Sequence, residues 1–475
     1  MSQNRSIYLL DPKKLSPETI AVTFAKTSRS PLSFAEIAAE LSDQASADFN
    51  EKWVVGYGHS SVAEHAVLHI AAENISRLAV ECLESNRLAS YTEKSSRYQI
   101  WGLDFFHIPT EFTGTPAETL YSDTCTRLFS AYQQAVEGVS VYLQRTESPL
   151  QGESPAAFKN RLRTQCADVC RYYLPASALA NVGMTINARA LEHAIRKLLS
   201  HPLDEVRRIG VEIKRVSQEN VPTLVKYADQ DHSFLRLQEA MSCLPAGLSP
   251  TPESHADWFR LVHADPDGEL RVLAALLLRF GNCSYEQAMQ TLQRADLAEK
   301  QQLAEHLLGG LGAHDLPARE LEYACLSVEF ILDQGAWFEL KRHRMLTLST
   351  QTFTPHLGFA VPRLIADAGL GEAFTAEMHA AAQAYAQLEA VHMPAAAYIL
   401  PNAFNRRVLL GMNLRSALHL VQLRSAANAH FAMRRAAQRL AEEIRRQFPY
   451  FAPWFDPQPD ETWQSITSEF FHTVK

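Results

Sequence analysis

The chain has no apolar run long enough to cross a bilayer, and the hydrophobic stretch near its start (MSQNRSIYLLDPKK) is too short for a secretory signal. It has no paired cysteine framework. The seven cysteines (Cys82, Cys125, Cys166, Cys170, Cys243, Cys283 and Cys325) are odd in number. The one close pair, Cys166 and Cys170, has helical spacing and no partner pair, so reduced thiols are expected rather than disulfides or a zinc site. Excess positive charge is also missing. Lys and Arg total 45 against 53 Asp and Glu, a formal net charge of -8, which argues against a nucleic-acid binder held by phosphate neutralisation. No glycine-rich phosphate loop supports a Rossmann or P-loop reading, and no Ser-His-Asp or reactive-cysteine signature appears. Cys82 lies in an apolar run and reads as packed rather than nucleophilic. The expectation is a soluble, cytoplasmic protein with no nucleic-acid or membrane partner and no metal.

What the chain does have is repetition. Residues 58–98 read GHSSVAEH, an apolar run, then SNRLASYTEKSSRY; residues 314–355 read HDLPARELEYA, an apolar run, then KRHRMLTLSTQTFTP. Two later blocks, RYYLPASALANVGMTINARALEH and AYILPNAFNRRVLLGMNLRSALH, set a Leu-Pro the same distance ahead of an Asn-x-Arg. Two blocks in the same order, once per half, indicate a tandem duplication. At 475 residues, 47% of them hydrophobic, two domains are expected. The Pro- and Ser-rich seam near LPAGLSPTPES divides them at 1–235 and 236–475.

Helical spacing covers residues 16–44, with Ser-Pro punctuation at both helix starts. Residues 65–76 read as a strand or helix–strand junction, and the segment after Asn86 as a turn and then extended chain. Residues 116–145 read as one long amphipathic helix with Leu120, Leu128, Tyr132, Val136 and Val139 inward. Helices follow over 187–199 and 202–220. In the second half helices are expected at 269–279, 285–292 and 375–391, with an apolar run at 321–332 and a two-part helix over 409–448. Strands beside long helices, without regular alternation, favour an α+β layout.

Several polar groups could carry chemistry. Arg342-His343-Arg344 concentrates donors that suit an anionic or electron-rich planar ligand; a solvated helix end reads the same. The run Ser90, Thr92, Glu93, Ser95, Ser96, Arg97 has the hydroxyls and cation to cradle a phosphate or sugar, as a turn-rich surface loop would also have. Asn187 and Asn413 could be ordinary N-caps, yet recurrence of Asn-x-Arg at Arg189 and Arg415 speaks for common descent. His193 and His419 follow at equal spacing. His65 and His69 have i,i+4 spacing without an acidic context and read as structural.

Together these blocks resemble the flavin-dependent thymidylate synthases. That family carries His-Glu-Ser-Pro-x-Glu-His, then Arg-His-Arg-x-x-Ser-x-Asn-x-x-Ser-x-Arg-Tyr, then Leu-Pro, Asn-x-Arg and a further Arg. The first copy keeps His59, Glu64 and His65; Arg87, Ser90, Ser95, Arg97 and Tyr98; then Arg171, Leu174, Pro175, Asn187 and Arg189. The second keeps His314 and an acid at Glu320 or Glu322; Arg342, His343 and Arg344; then Leu400, Pro401, Asn413, Arg415 and Arg424. The losses are complementary. Ser85-Asn86-Arg87 replaces Arg-His-Arg in the first copy, and Leu198 stands at the late Arg. Thr352-Phe353-Thr354-Pro355 replaces Ser-x-Arg-Tyr in the second, and Ala397 the Arg before Leu-Pro.

The resemblance implies two tandem copies of one α+β domain, a mixed sheet packed with long helices, with a nucleotide half-site in the first and a flavin half-site in the second. It implies reductive methylation of dUMP with FAD as cofactor and methylenetetrahydrofolate and NADPH as co-substrates, at a composite site between copies. Family members are homotetramers, so a homodimer imitating four domains is expected. The substrate residues are then Glu93, Ser95, Ser96, Arg97, Arg171 and Glu339, the last standing where the family has a Gln. Arg424 is the catalytic candidate, stabilising charge on the uracil ring. Arg342, His343, Arg344, Asn413, Arg415, His419, Asn187 and Arg189 fall to the flavin. A flavoenzyme for another uridine nucleotide and an inactive nucleotide-binding homologue stay open as alternatives.

Overall fold

The computed structural model describes residues 5–56, 59–97, 99–103, 105–242, 257–312, 314–457 and 460–474. Contacts divide the chain into two units that do not follow a cut at residue 235. One comprises Met1–Lys94, Phe106–Thr115 and Ala178–Pro252; the other comprises Ser95–Phe105, Pro116–Ser177 and Glu253–Lys475.

The first unit is built on three antiparallel strands, β1 (Val67–Ser76), β2 (Ala89–Glu93) and β3 (Leu179–Asn187), in the order β1-β3-β2. Short helices lie ahead of the sheet. Ser16 caps Pro17–Thr27, with proline at its first position, and a reciprocal Ser33–Glu36 capping box starts Phe34–Glu40. The second start is therefore set by Ser33, not by the Ser30-Pro31 punctuation. Helix Arg77–Glu84 links β1 to β2, and Ala188–Leu199 and Asp204–Gln218 follow β3. Arg77 and Glu93 form an ion pair at 3.2 Å with both side chains 2% exposed.

The second unit repeats this frame with one more strand in the sheet and a separate two-stranded ladder. Strands β4 (Phe259–Ala264), β5 (Cys325–Asp333), β6 (Thr347–Thr350) and β8 (Asn405–Asn413) run in the order β4-β5-β8-β6, and β7 (Val361–Pro362) pairs with β9 (Phe471–Thr473). Every ladder between described strands is antiparallel, which narrows the mixed sheet of expectation. Residues 409–413, expected to be helical, end β8; the helix proper is Leu414–Arg424. A helix at Leu297–Leu308, opened by an Asp296–Glu299 capping box, was not anticipated.

The duplication is visible in the registers. Val67 faces Asn187 in one sheet as Cys325 faces Asn413 in the other, and Ala72 faces Val182 as Phe330 faces Val408. The first copy then inserts one residue, a bulge at Asn74 with φ 56, before Ser76 meets Leu179 as Asp333 meets Asn405. In the second unit the long helix Pro116–Thr146 packs with Pro155–Cys170 and Gly371–Glu389, joined at one point by an Arg127–Glu377 ion pair at 2.8 Å. Leu128, Tyr132 and Val139 are buried on the long helix, whereas Leu120 and Val136 flank the buried stripe, half-covered.

Candidate functional site

Within the second unit the two Leu-Pro segments pair with each other. Ala176 N donates to Leu400 O and Asn402 N to Leu174 O, both at 3.0 Å. Ser177 N donates to Tyr398 O at 2.8 Å and Ala403 N to Tyr172 O at 3.1 Å. Each bond has its twin under exchange of the copies, a local two-fold. Pro175 and Pro401, which have no N–H to donate, bridge each other at its centre. Asn402 also donates its Nδ2 to Arg171 O at 2.9 Å, fixing the backbone that carries Arg171.

Around this pairing, residues from both halves of the sequence converge. Arg97 forks onto Asp168, Nε to Oδ1 at 2.7 Å and Nη2 to Oδ2 at 2.9 Å, a bidentate pair that fixes the guanidinium plane. Its Nη1 donates to Asn428 O at 3.0 Å and lies 3.5 Å from Glu339 Oε1. Arg424, the last residue of its helix, donates from Nη1 to Glu339 Oε2 and from Nη2 to Glu339 O, both at 3.0 Å, and from Nε to His343 Nε2 at 2.9 Å. Accepting at Nε2 assigns the neutral ring's proton to Nδ1. Burial, and then the positive charge of Arg424, push His343 down to about 3, so it stays neutral at physiological pH. Burial also lowers the pKa of Arg424, opposed by Glu339.

Beneath lies a second buried polar layer. Asp333 caps helix Gln334–Leu340, accepting from Ala336 N at 2.8 Å, and burial raises its carboxyl to about 6 against the pull of that amide and of Arg171. Arg171, 3% exposed, donates to Gly335 O at 3.3 Å, and its buried Nε has no hydrogen-bond partner. Buried His430 sets Nε2 3.3 Å from Asp168 O, and burial holds its pKa well below the usual value. Ser96 is buried beside Arg97, and Ser95 Oγ accepts from Arg97 N at 3.2 Å.

The proposed flavin residues divide. Arg342 and Arg344 flank buried His343 on the turn between helix Gln334–Leu340 and β6, Arg342 exposed and Arg344 half-buried. His419 is exposed, its ring 5.7 Å from that of His343. Asn413 Oδ1 accepts from Ser416 N at 2.9 Å, an N-cap. Arg415 donates to Pro317 O at 2.8 Å and to Glu322 at 3.0 Å, and Glu320 pairs instead with Arg279. Glu322 is thus the counterpart of Glu64. Three candidates belong to the first unit and have partners there: Glu93 pairs with Arg77, Asn187 caps the helix after β3, and Arg189 pairs with Glu64. Tyr98 lies outside the described residues.

That unit also holds a cavity of about 660 Å³, walled by Phe24, Phe49 and Trp53 and rimmed by Arg29, His59 and His65. Among the described residues no group of three or more His, Cys, Asp or Glu side chains could hold a metal ion, and no helix is long and apolar enough to cross a membrane. Asp168, Asp333 and His430 were not anticipated from sequence.

Known proteins repeat the halving. A UPF0159 protein of Chlamydia muridarum is 29% identical over 87% of this chain and 81% of its own length. A UPF0159 protein of Thermoplasma acidophilum is 26% identical over 87% of this chain and 89% of its own. A flavin-dependent thymidylate synthase of Clostridium tetani is 27% identical over 82% of its length but only 45% of this chain. The family model described as thymidylate synthase complementing protein matches residues 10–223 and again 260–450. The chain belongs to that family, the flavin-dependent thymidylate synthases, as a tandem duplication.

Proposed function

We propose that the chain is a divergent flavin-dependent thymidylate synthase that forms dTMP from dUMP, using methylenetetrahydrofolate and NADPH, at a composite site drawn from both copies. The observation that carries this reading is that Arg97 of the first copy meets Glu339 of the second, itself joined to Arg424 and His343, while Arg171 of the first copy bonds to Gly335 of the second. Ser95, Ser96, Arg97 and Arg171 take the phosphate and sugar, and the spare Nε of Arg171 is a donor suited to a phosphate oxygen. Arg424, held by neutral His343, offers a fixed guanidinium to charge developing on the uracil ring.

The donor set on the turn around His343 fits FAD: Arg342 and Arg344 supply forked cations for its phosphates or pyrimidine edge, with His419 alongside. When bound, the flavin supplies the hydride; the protein orients and charges the pocket around it. The cavity beside His59, with aromatic walls and the cations Lys26 and Arg29 beside the carboxylates Glu40 and Glu64, suits a planar polar molecule of the flavin or folate class. The assembly in this reading is a homodimer of the duplicated chain in the cytoplasm.

Engagement of Arg97 and Arg424 by Glu339 favours, as a second reading, a flavoenzyme for another uridine nucleotide, and beyond it an inactive nucleotide-binding homologue. The test is the visible spectrum of the protein supplied with FAD, with and without dUMP, followed by assay of dTMP. A flavin band perturbed by dUMP supports the synthase. Retained flavin that ignores dUMP points to another nucleotide, and failure to retain flavin sinks the enzyme.

A further inference from the structure

The anion-binding residues of the site are already neutralised by the protein itself. Two guanidiniums, Arg97 and Arg424, face two carboxylates, Asp168 and Glu339, in a cluster whose side chains are between 7% and 16% exposed. A phosphate monoester arriving there finds these two cations already paired, and it meets two negative charges at short range in a partly desolvated setting, where Coulomb terms are large.

The two carboxylates are not held alike. Asp168 is locked by two short, parallel bonds to Arg97. Glu339 reaches Arg97 only at 3.5 Å, outside the range of a normal N–H···O bond, and reaches Arg424 through one oxygen at 3.0 Å. Arg424 does not depend on that carboxylate for its place. It keeps the carbonyl of the same residue, Glu339 O at 3.0 Å, and His343 Nε2 at 2.9 Å. The Glu339 side chain can therefore leave without releasing the guanidinium it covers.

Resting on the nucleotide reading above, we propose that Glu339 is a displaceable internal counter-ion: its carboxylate, anchored on Arg424, holds the anion position at Arg97 that this reading gives to the phosphate, and only a dianion such as a phosphate monoester displaces it. The residue then sets specificity as well as affinity, since neutral nucleosides have nothing to exchange for the carboxylate.

The experiment is calorimetric titration of the full-length protein and two variants, Glu339→Gln and Glu339→Asp, with inorganic phosphate, dUMP and deoxyuridine. Glu339→Gln keeps shape and removes charge. It is expected to bind phosphate and dUMP at least tenfold more tightly than the natural chain, with deoxyuridine unchanged. Glu339→Asp keeps the charge and is expected to stay within threefold of the natural chain for phosphate. Equal or weaker phosphate binding by Glu339→Gln overturns the proposal. So does loss of phosphate binding in Glu339→Asp, a result readable even if the Gln variant does not fold. A phosphate gain without any dUMP binding would keep the counter-ion and sink the nucleotide reading. Binding of dUMP with no phosphate gain in Glu339→Gln would do the reverse.

Discussion

The two copies keep the same scaffold contacts and differ where a helix delivers its cation. Both cap the helix after the first strand of the repeat, with Ser76 or Asp333, and both cap the helix after the returning strand with Asn187 or Asn413. Both set an acid against the Asn-x-Arg arginine, Glu64 with Arg189 and Glu322 with Arg415. Both use an acid near the start of the first helix to receive two amides from the far end of the copy. Glu18 takes Thr223 N and Leu224 N; Glu269 takes Tyr450 N and Phe451 N. These contacts hold the frame, and the frame tolerates change elsewhere.

The change is a slip of one residue. In the second copy Arg424 ends its helix and reaches His343 and Glu339. In the first, Leu198 fills that place and is buried, while Lys197 reaches Asn86 Oδ1 at 2.8 Å and Ser85 Oγ at 2.6 Å. One residue turns a helical side chain by about 100°, yet Lys197 still reaches Asn86, which stands where His343 does in the second copy. Cys82 stands in the position of Glu339, 3.3 Å from His201 Nε2, and brings no carboxylate. Burial lowers Lys197 to about 8, so it stays mostly charged at neutral pH and loses its proton just above it. An arginine in the same surroundings stays charged. At the place of Arg424 in this helix a permanent cation stands in the second copy alone.

The widest separation between the copies is therefore expected on these two residues. Arg424→Ala should lower dTMP formation by about 10²–10³-fold, the usual loss when one fixed donor to developing charge is removed. Lys197→Met should leave it within about threefold, since nothing in the proposed chemistry touches Lys197. Steady-state rates with both variants check this. Equal losses would mean that the first copy runs chemistry of its own.

A second contrast concerns the caps after the first strand. Ser76 does not titrate near neutrality, whereas Asp333 is raised to about 6 from 3.8 by burial. The sign follows from the order of ionisation. As pH rises through this window the unfolded carboxyl loses its proton first, so folding loses stability, and above the folded value the loss is constant. About two pKa units correspond to about 2–3 kcal/mol. Asp333→Asn keeps a cap acceptor and removes the titration, so its thermal midpoint should gain on that of the natural chain between pH 4 and 6, less the attraction of Arg171 that is given up. Parallel midpoints across that range would show that the carboxyl is not penalised.

The duplication was legible because motifs are local: Asn-x-Arg, Leu-Pro and Arg-His-Arg survive as short strings. Arg97, Arg171 and Arg424 could be singled out for the same reason. Asp168 could not, since an acid three residues ahead of an arginine in a helix resembles any solvated helix face. The pairing of Leu174 with Asn402, and with it the gathering of 116–177 into the second unit, is set by hydrogen bonds between segments more than two hundred residues apart. No window of sequence contains them. In sequence the end of β8 resembles helix, because Leu409, Leu410 and Met412 lead directly into the apolar face of Leu414–Arg424. The break is made by the Asn413 cap, visible in the string but ambiguous until its acceptor is seen.

That cap gives the smallest and sharpest comparison. Asn187 and Asn413 accept from Ala190 N and Ser416 N at the same 2.9 Å, so as caps they are equivalent. Each Asn→Ala change should cost about 1 kcal/mol of stability. If Asn413 also serves the flavin, its free Nδ2 is the group that does so, because Oδ1 is spent on the helix. Asn413→Asp then separates the two tasks: it keeps the acceptor and the cap, removes the amide donor, and should weaken FAD retention without lowering the thermal midpoint. Asn187→Asp should change neither. If Asn413→Asp holds FAD as tightly as the natural chain, the recurrence of Asn in both copies is explained by helix capping alone, and the flavin contacts reduce to the turn around His343.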